Sequence, residues 1–454
     1  MTETKGAGIS RPILFTGMAA SLLLAAVLLF RFGQTRPIQS RSSPPAAQTH
    51  AANSLFEMEQ AGDATTVRFL LDKVKRDPDD MVAENMLASR MLQKVRETGS
   101  ADYIQSALIA AQRSLHSVPA IRNIGGLTAL TRVEIATHDF TNARVHALQI
   151  VDYDPSTIGS YASLFDVLIE LGEYAQADAA VQQMRKLGMD TAETEIRLGR
   201  LLFLQGDTDG AQRRFVRALA FIKQLAPPPR ESMAWCQWQM GEMDFSKGDY
   251  PSAEKNYRDA LAIYPFYVQA LSSLGRVLAA RGQLSEAIVQ YEQATRRFPD
   301  PTLVAALGDL YHLANRQTEA DIQYALVDQI GHLSTLNGAR YNRQIAIFDA
   351  DHSRNAEEAY RNAEREYHDR RDIYGADTLA WTALKAGRLT EAQRAMPRAL
   401  CLSTRDARLY YHAGMIAKAA GDRAKAQAYL KRALHLSPSF DPFQASLARK
   451  ALAD

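Results

Sequence analysis

Two apolar patterns divide the chain. The first is unbroken: Ile13 to Phe30 (ILFTGMAASLLLAAVLLF) carries no charge between Arg11 and Arg31, and its length is close to what a helix needs to cross a bilayer. The second is periodic. From about Leu55 onward, small side chains, aromatics and prolines return at a fixed offset, which predicts pairs of amphipathic helices. Between the two, Gln34 to Asn53 (QTRPIQSRSSPPAAQTHAAN) is rich in Pro, Ser, Ala and Gln and has no apolar period. It reads as a tether, extended at Pro44-Pro45.

The periodic register is clearest between Ala234 and Pro299. Gly241, Ala253, Tyr257, Ala260 and Pro265 recur, all at one offset, as Gly275, Ala287, Tyr291, Ala294 and Pro299. Two helices pack closely only where side chains are small. Gly241 with Ala253, and Gly275 with Ala287, therefore mark where a first helix (A) crosses a second (B). Ala260 and Ala294 admit the next hairpin, the tyrosines fill the gap between neighbours, and the prolines end helix B. This set resembles the tetratricopeptide repeat of bacterial membrane-anchored proteins, whose period is about 34 residues, over nearly all of the chain from Leu55. The resemblance implies an all-α fold, a superhelix of about ten helix-turn-helix repeats in which no unit buries its apolar face alone. One N-terminal transmembrane helix is expected ahead of it. The family's usual Trp at the fourth repeat position is absent, with Gln237 and Leu271 in its place.

Taken in order, the expected segments are a tail (1–12), the apolar segment (13–30), a linker (31–54), an N-terminal repeat lobe (55–226), a Pro-rich insertion (227–233), a C-terminal repeat lobe (234–438) and a capping helix (439–454). An incomplete first unit ends at Asp77-Pro78, and a second carries Ala107, Ala111 and Pro119. Ala143, Ala177 and Ala211 then keep the same step, with Gly172 and Gly206 in the interhelical turns where positive φ is required. Pro227-Pro228-Pro229 interrupts the stack. After a repeat carrying Gly308, Tyr311, Ala320 and Tyr324, the next helix-B alanine is Ala359, so a second insertion is expected between Val327 and Arg340. Ala392 and Ala426 resume the register, with Gly387 and Gly421 in their turns. Ser285 and Thr390 are the expected N-caps of their B helices.

Composition adds exclusions. The 53 basic and 51 acidic residues nearly cancel, so no whole-molecule field points to nucleic acid or to an acidic substrate. Cys236 and Cys401 have no CxxC spacing; each is expected as a small buried residue, a bridge between them being the alternative. No Walker, dinucleotide, HExxH, GxSxG or EF-hand pattern is present. No enzyme, cofactor or small-molecule substrate is expected. Asp349-Ala350-Asp351-His352 reads as a polar interhelical turn sooner than a metal half-site. The charged run Asn355 to Asp372, with Glu357/Arg361 and Glu366/Arg370 at i,i+4, reads as a solvated helix face.

Function is then expected from surface. In tetratricopeptide proteins one face of helix A lines a concave groove that holds a peptide or partner helix. Carried onto this register, the groove residues are Trp235, Trp238, Glu242 and Phe245, then Arg276, His312, Tyr341 and Phe348, and then Tyr374, Trp381, Arg408 and Tyr411. Aromatic and arginine side chains are the types that carry binding energy when a pocket excludes water. For the three tryptophans, packing against the preceding helix B is the competing role. The reading is a membrane-tethered scaffold that binds a protein or peptide and contacts lipid through Ile13 to Phe30. A specialised envelope assembly factor presenting client proteins is the alternative. The apolar segment reads as an uncleaved single-pass anchor in the cytoplasmic membrane, with a cleaved signal peptide as alternative. The repeats are expected on the extracytoplasmic side.

Overall fold

The computed structural model describes residues 46–98, 101–188, 191–336 and 342–453. Ile13 to Phe30 and Tyr341 lie outside the described residues. No described helix is long and apolar enough to cross a membrane. Among the described residues the regular structure is helical throughout.

A single long helix, α1 (Ala46–Arg76), begins inside the stretch expected as linker and ends at the Asp77-Pro78 boundary. Ten antiparallel hairpins follow among the described residues: α2 (Met81–Thr98) with α3 (Ala101–Ser117), α4 (Ile124–Ala136) with α5 (Phe140–Tyr153), α6 (Ile158–Leu171) with α7 (Tyr174–Leu187), α8 (Ala192–Leu204) with α9 (Thr208–Lys223), and α10 (Arg230–Ser246) with α11 (Tyr250–Ile263). The second five are α12 (Val268–Ala280) with α13 (Leu284–Arg297), α14 (Pro301–Leu313) with α15 (Gln317–Leu336), α16 (Arg343–Asp351) with α17 (Ala356–Asp369), α18 (Ile373–Lys385) with α19 (Leu389–Ala399), and α20 (Ala407–Ala419) with α21 (Arg423–Leu436). A last helix, α22 (Gln444–Ala453), packs on α20 and α21.

Each hairpin is built by the same local chemistry. The turn glycines Gly172, Gly206, Gly387 and Gly421 all sit at positive φ. Helix B starts on an aspartate at Asp139, Asp207, Asp249 and Asp422, whose carboxylate accepts the backbone N–H three residues on. That satisfies one of the orphan donors of a helix start. The expected caps Ser285 and Thr390 are corrected by the structure: α13 and α19 start one residue before them, and Gln283 and Arg388 hold the cap positions without a side-chain capping bond to the backbone. A Cβ on Gly275 would stand 2.6 Å from the Tyr291 ring, and one on Gly308 the same distance from Tyr324. The tyrosine therefore fills space against the glycine of its own hairpin, and it also packs in the cluster shared with the next hairpin, as the register suggested.

The insertions are partly helical. The extra residues before Ala253 in large part extend α10 back to Arg230, leaving a short loop at the prolines. The second insertion extends α15 to Leu336. Of the cysteines, Cys236 is buried and Cys401 is exposed, and both are free; the burial expected for Cys401 is not found.

Successive A helices pack directly on one another along most of the stack, whereas successive B helices do not. The A side is thus the inside of the curve. The curve closes on itself. The turn of hairpin α6/α7 meets the α17–α18 connection, the turn of α8/α9 meets the α19–α20 connection, and the turn of α10/α11 meets the α21–α22 connection. A Cβ on Gly206 would stand 2.6 Å from the Ser403 carbonyl oxygen. Two coils of the solenoid therefore touch edge to edge, through residues 187 to 200 positions apart.

Candidate binding surface

The inner face carries a compact polar cluster on α10 and α12. Trp238 Nε1 donates to Ser273 Oγ at 2.9 Å, and Ser273 Oγ donates to Glu242 Oε1 at 2.7 Å. Tyr257 Oη, from α11, donates to the same oxygen at 2.8 Å. Arg276 Nη2 closes on Glu242 Oε2 at 2.6 Å, and its guanidinium lies 4.0 Å above the Phe245 ring. Burial raises the Glu242 pKa, but Arg276 and the hydrogen bonds from Arg276, Ser273 and Tyr257 outweigh it and hold the carboxyl below its ordinary value. The cluster is charged, preorganised and reachable: one third of the Arg276 side chain is exposed. A guanidinium held over an aromatic ring and still partly exposed is a side chain that can meet a ligand acceptor.

The structure thus brings Trp238, Glu242, Phe245 and Arg276 together, although the Phe245 ring is itself buried under the arginine. Trp235 stands apart, half-buried and tilted against Phe215 of the preceding hairpin at 5.6 Å. That is the packing role its position allowed. His312 is exposed, bonds Gln317 Oε1 through Nδ1 at 2.7 Å, and lies tilted against Phe443 of the C-terminal segment at 5.6 Å.

Four of the expected groove residues are core. Phe348 is buried against Tyr324 and His352. Trp381 is 2% exposed; its Nε1 donates to Asp351 Oδ1 at 2.8 Å and its ring stacks on buried His412 at 4.1 Å. Tyr411 is buried against Trp381 and Phe440. With Phe245, which lies under Arg276, these are packing positions; Trp381 and Tyr411 share their cluster with Phe440 of the C-terminal segment. Gln444 Nε2, at the start of α22, also donates to Asp351 Oδ1, at 2.9 Å. Asp349 is buried and Asp351 serves this bond network, so the Asp349 to His352 stretch packs between helices where a polar turn was expected. Among the described residues no group of three or more His, Cys, Asp or Glu is arranged to hold a metal ion.

Tyr374 and Arg408 are half-buried. Tyr374 lines a cavity of about 250 Å³ between the coils, with Glu170, Tyr174, Arg200, Phe203 and Arg370 among its walls. None of those five was expected at a site, because a contact that spans a whole coil leaves little trace in a register one hairpin long. One trace does exist. Phe140, Tyr174, Thr208 and Tyr250 each open a B helix. Phe140, Tyr174 and Tyr250 reach across to the second coil.

The charged run from Asn355 is also redistributed. Glu366 and Arg370 do pair, at 3.5 Å, but both are largely buried in the seam and do not form a solvated face. Glu357 pairs with Arg388 at 2.7 Å.

Family models described as tetratricopeptide repeat match residues 190–265, 244–300 and 407–440. Among solved structures the chain is similar to the crystal structure of the APC/C hetero-tetramer Cut9-Hcn1, at 16% identity and a TM-score of 0.46, over 95% of this chain and 82% of that one. It is also similar to the human IFIT1 dimer with PPP-AAAA, at 14% identity and a TM-score of 0.42, over 82% and 94%. A third is PilW, a type IV pilus biogenesis factor, at 18% identity and a TM-score of 0.38, over 48% and 94%. No curated protein matches the chain.

Proposed function

Because the chain is a tetratricopeptide repeat protein, we propose that it is a scaffold that holds a protein partner against its inner face, tethered to a membrane through Ile13 to Phe30. One observation carries the reading: the Trp238, Ser273, Glu242 and Arg276 cluster is fixed in place by its own hydrogen bonds yet leaves a third of the Arg276 side chain exposed. A preorganised arginine on an aromatic shelf loses little conformational entropy on binding, which is how a few side chains come to carry most of an interface energy. The partner chemistry that fits is an acidic or carbonyl-rich segment.

The test is photo-crosslinking from the full chain in intact cells, with the crosslinker placed at Ser272 on the inner face or at Val216 on the outer face. The reading expects a discrete product from Ser272 that is lost on Arg276→Glu. Equal products from both faces, or a Ser272 product that survives Arg276→Glu, would count against it. Membrane fractionation with protease accessibility reads the tether and its sidedness. Recovery of the full-length chain in the soluble fraction would remove that part.

A further inference from the structure

The seam between the coils is built from groups that can part without stranding a charge. On the first coil, Asp166 and Glu170 of α6 face Arg197 and Arg200 of α8, with Arg200 Nη1 2.9 Å from Asp166 and Nη2 3.5 Å from Glu170. On the second coil, Arg343 of α16 bonds Glu366 and Asp372, each at 2.7 Å, and Arg370 lies 3.5 Å from Glu366 and 3.3 Å from Asp372. Each half therefore holds two cations and two carboxylates and is neutral by itself. One ion pair joins them, Arg370 with Glu170, backed by Arg370 Nε donating to the Glu170 carbonyl at 3.2 Å.

The other cross-coil bonds have the same character. Ile373 N donates to Tyr174 Oη at 2.8 Å, and Ser439 N donates to Tyr250 Oη at 2.7 Å. Ile373 N is a helix-start donor that water can also satisfy. Apolar contact across the seam includes Tyr174 and Leu204 against the cluster around Ile373 and Leu409. A contact between two parts of one chain that is rich in polar groups is the kind that opens and closes. In a solenoid each hairpin touches chiefly its neighbours, so a small rotation at every step sums to a large separation without breaking any hairpin.

We propose that this seam is a reversible electrostatic clasp: the protein alternates between the closed two-coil form and an opened superhelix, and the Glu170–Arg370 pair sets the balance. Raising salt opens it, since the screening length falls from about 10 Å at 0.1 M to about 3 Å at 1 M. Opening uncovers Glu170, Tyr174, Arg200, Arg370 and Tyr374 around the inter-coil cavity.

The native thiol of Cys401 is exposed beside the seam and Cys236 is buried, so Gln205→Cys in the full chain gives two spin-label sites that face each other across it. Electron–electron distance measurement needs no partner, so its outcome is separate from that of the scaffold reading. The clasp expects one short, narrow distance at low salt and a second, longer population that grows as NaCl is raised. That longer population dominates in Arg370→Glu and in Glu170→Lys and is unaffected by Arg258→Glu on the outer surface. In parallel, the Ile373 amide exchanges faster in Arg370→Glu by about tenfold, the equivalent of about 1.4 kcal/mol. A single short distance at every salt concentration and in both seam variants would overturn the proposal. So would a long distance under all conditions. Should circular dichroism show that a seam variant has lost helix, the salt series on the Gln205→Cys protein decides alone.

Discussion

The phenol of Tyr174, the first residue of α7, accepts a hydrogen bond from the backbone N–H of Ile373, the first residue of α18, at 2.8 Å and 199 residues away. The first residue of a B helix thus caps the first residue of an A helix, a full coil later. Asp372 caps the following amides of the same helix, those of Tyr374 at 3.0 Å and Gly375 at 3.1 Å. Tyr174→Phe removes the acceptor and keeps the ring, so it is expected to cost about 1 kcal/mol at the seam. Hydrogen exchange should show faster exchange at Ile373 with the amides of α10 unchanged. Uniform exchange across the whole chain would contradict a local role.

Glycine has two different meanings in this chain. A Cβ on Gly241 would come closer than 3.0 Å to the Tyr257 ring, whose hydroxyl is tied to Glu242. Gly241→Ala is therefore expected to destabilise by about 1–3 kcal/mol through overpacking. Gly62 lies within α1 and has nothing within 4 Å of its Cβ direction. Gly62→Ala is expected to stabilise by about 0.5–1 kcal/mol through helix propensity. Urea midpoints of the two variants should move in opposite directions.

Trp381 and Arg276 separate core from surface. With its ring stacked on His412 and its N–H on Asp351, Trp381→Ala is expected to cost about 3–5 kcal/mol and to melt the last hairpins first. Arg276→Ala is expected to leave far-ultraviolet circular dichroism intact while partner crosslinking falls. If Trp381→Ala keeps its thermal midpoint, the core assignment fails.

The C-terminal segment should respond to pH. The Asp441 carboxyl is pushed up to about 6, first by burial and then by the carboxylates of Asp351 and Asp309, despite backbone hydrogen bonds from Phe443 and Gln444. A raised carboxyl pKa means that the folded state binds the proton more tightly than the unfolded state. Stability from this group is present at low pH and is lost as pH rises from about 4 through about 6. Asp441→Asn keeps a capping oxygen and removes the charge. It is expected to stabilise the segment at pH 7.5 by on the order of 1 kcal/mol, after allowing for screening of a half-buried group. It should also flatten the pH dependence between those limits. Chemical denaturation at pH 4.5 and pH 7.5 reads both effects, and a variant less stable than the parent at pH 7.5 would contradict them.

Much of the hairpin architecture was legible because it is local. Gly, Ala, Tyr and Pro at fixed steps encode where two helices cross, where they turn and where they stop, all within the span of one hairpin. The site was legible only in part, since helical periodicity gives the face a residue occupies and says nothing about what else arrives there. Trp238, Glu242 and Arg276 stayed on the surface because their neighbours are one hairpin away. Trp381 and Tyr411 occupy equivalent faces but were buried by the incoming segment from Phe440 to Gln444.

The sequence by itself determined the helices, their pairing, their order and the inside of the curve, since each of these is settled by side chains a few turns apart. Tertiary structure alone decided that the curve closes, that Glu170 meets Arg370, and which aromatic residues became core. Those outcomes depend on the small rotation between successive hairpins, accumulated over many steps, and no single repeat carries a residue pattern that records that sum.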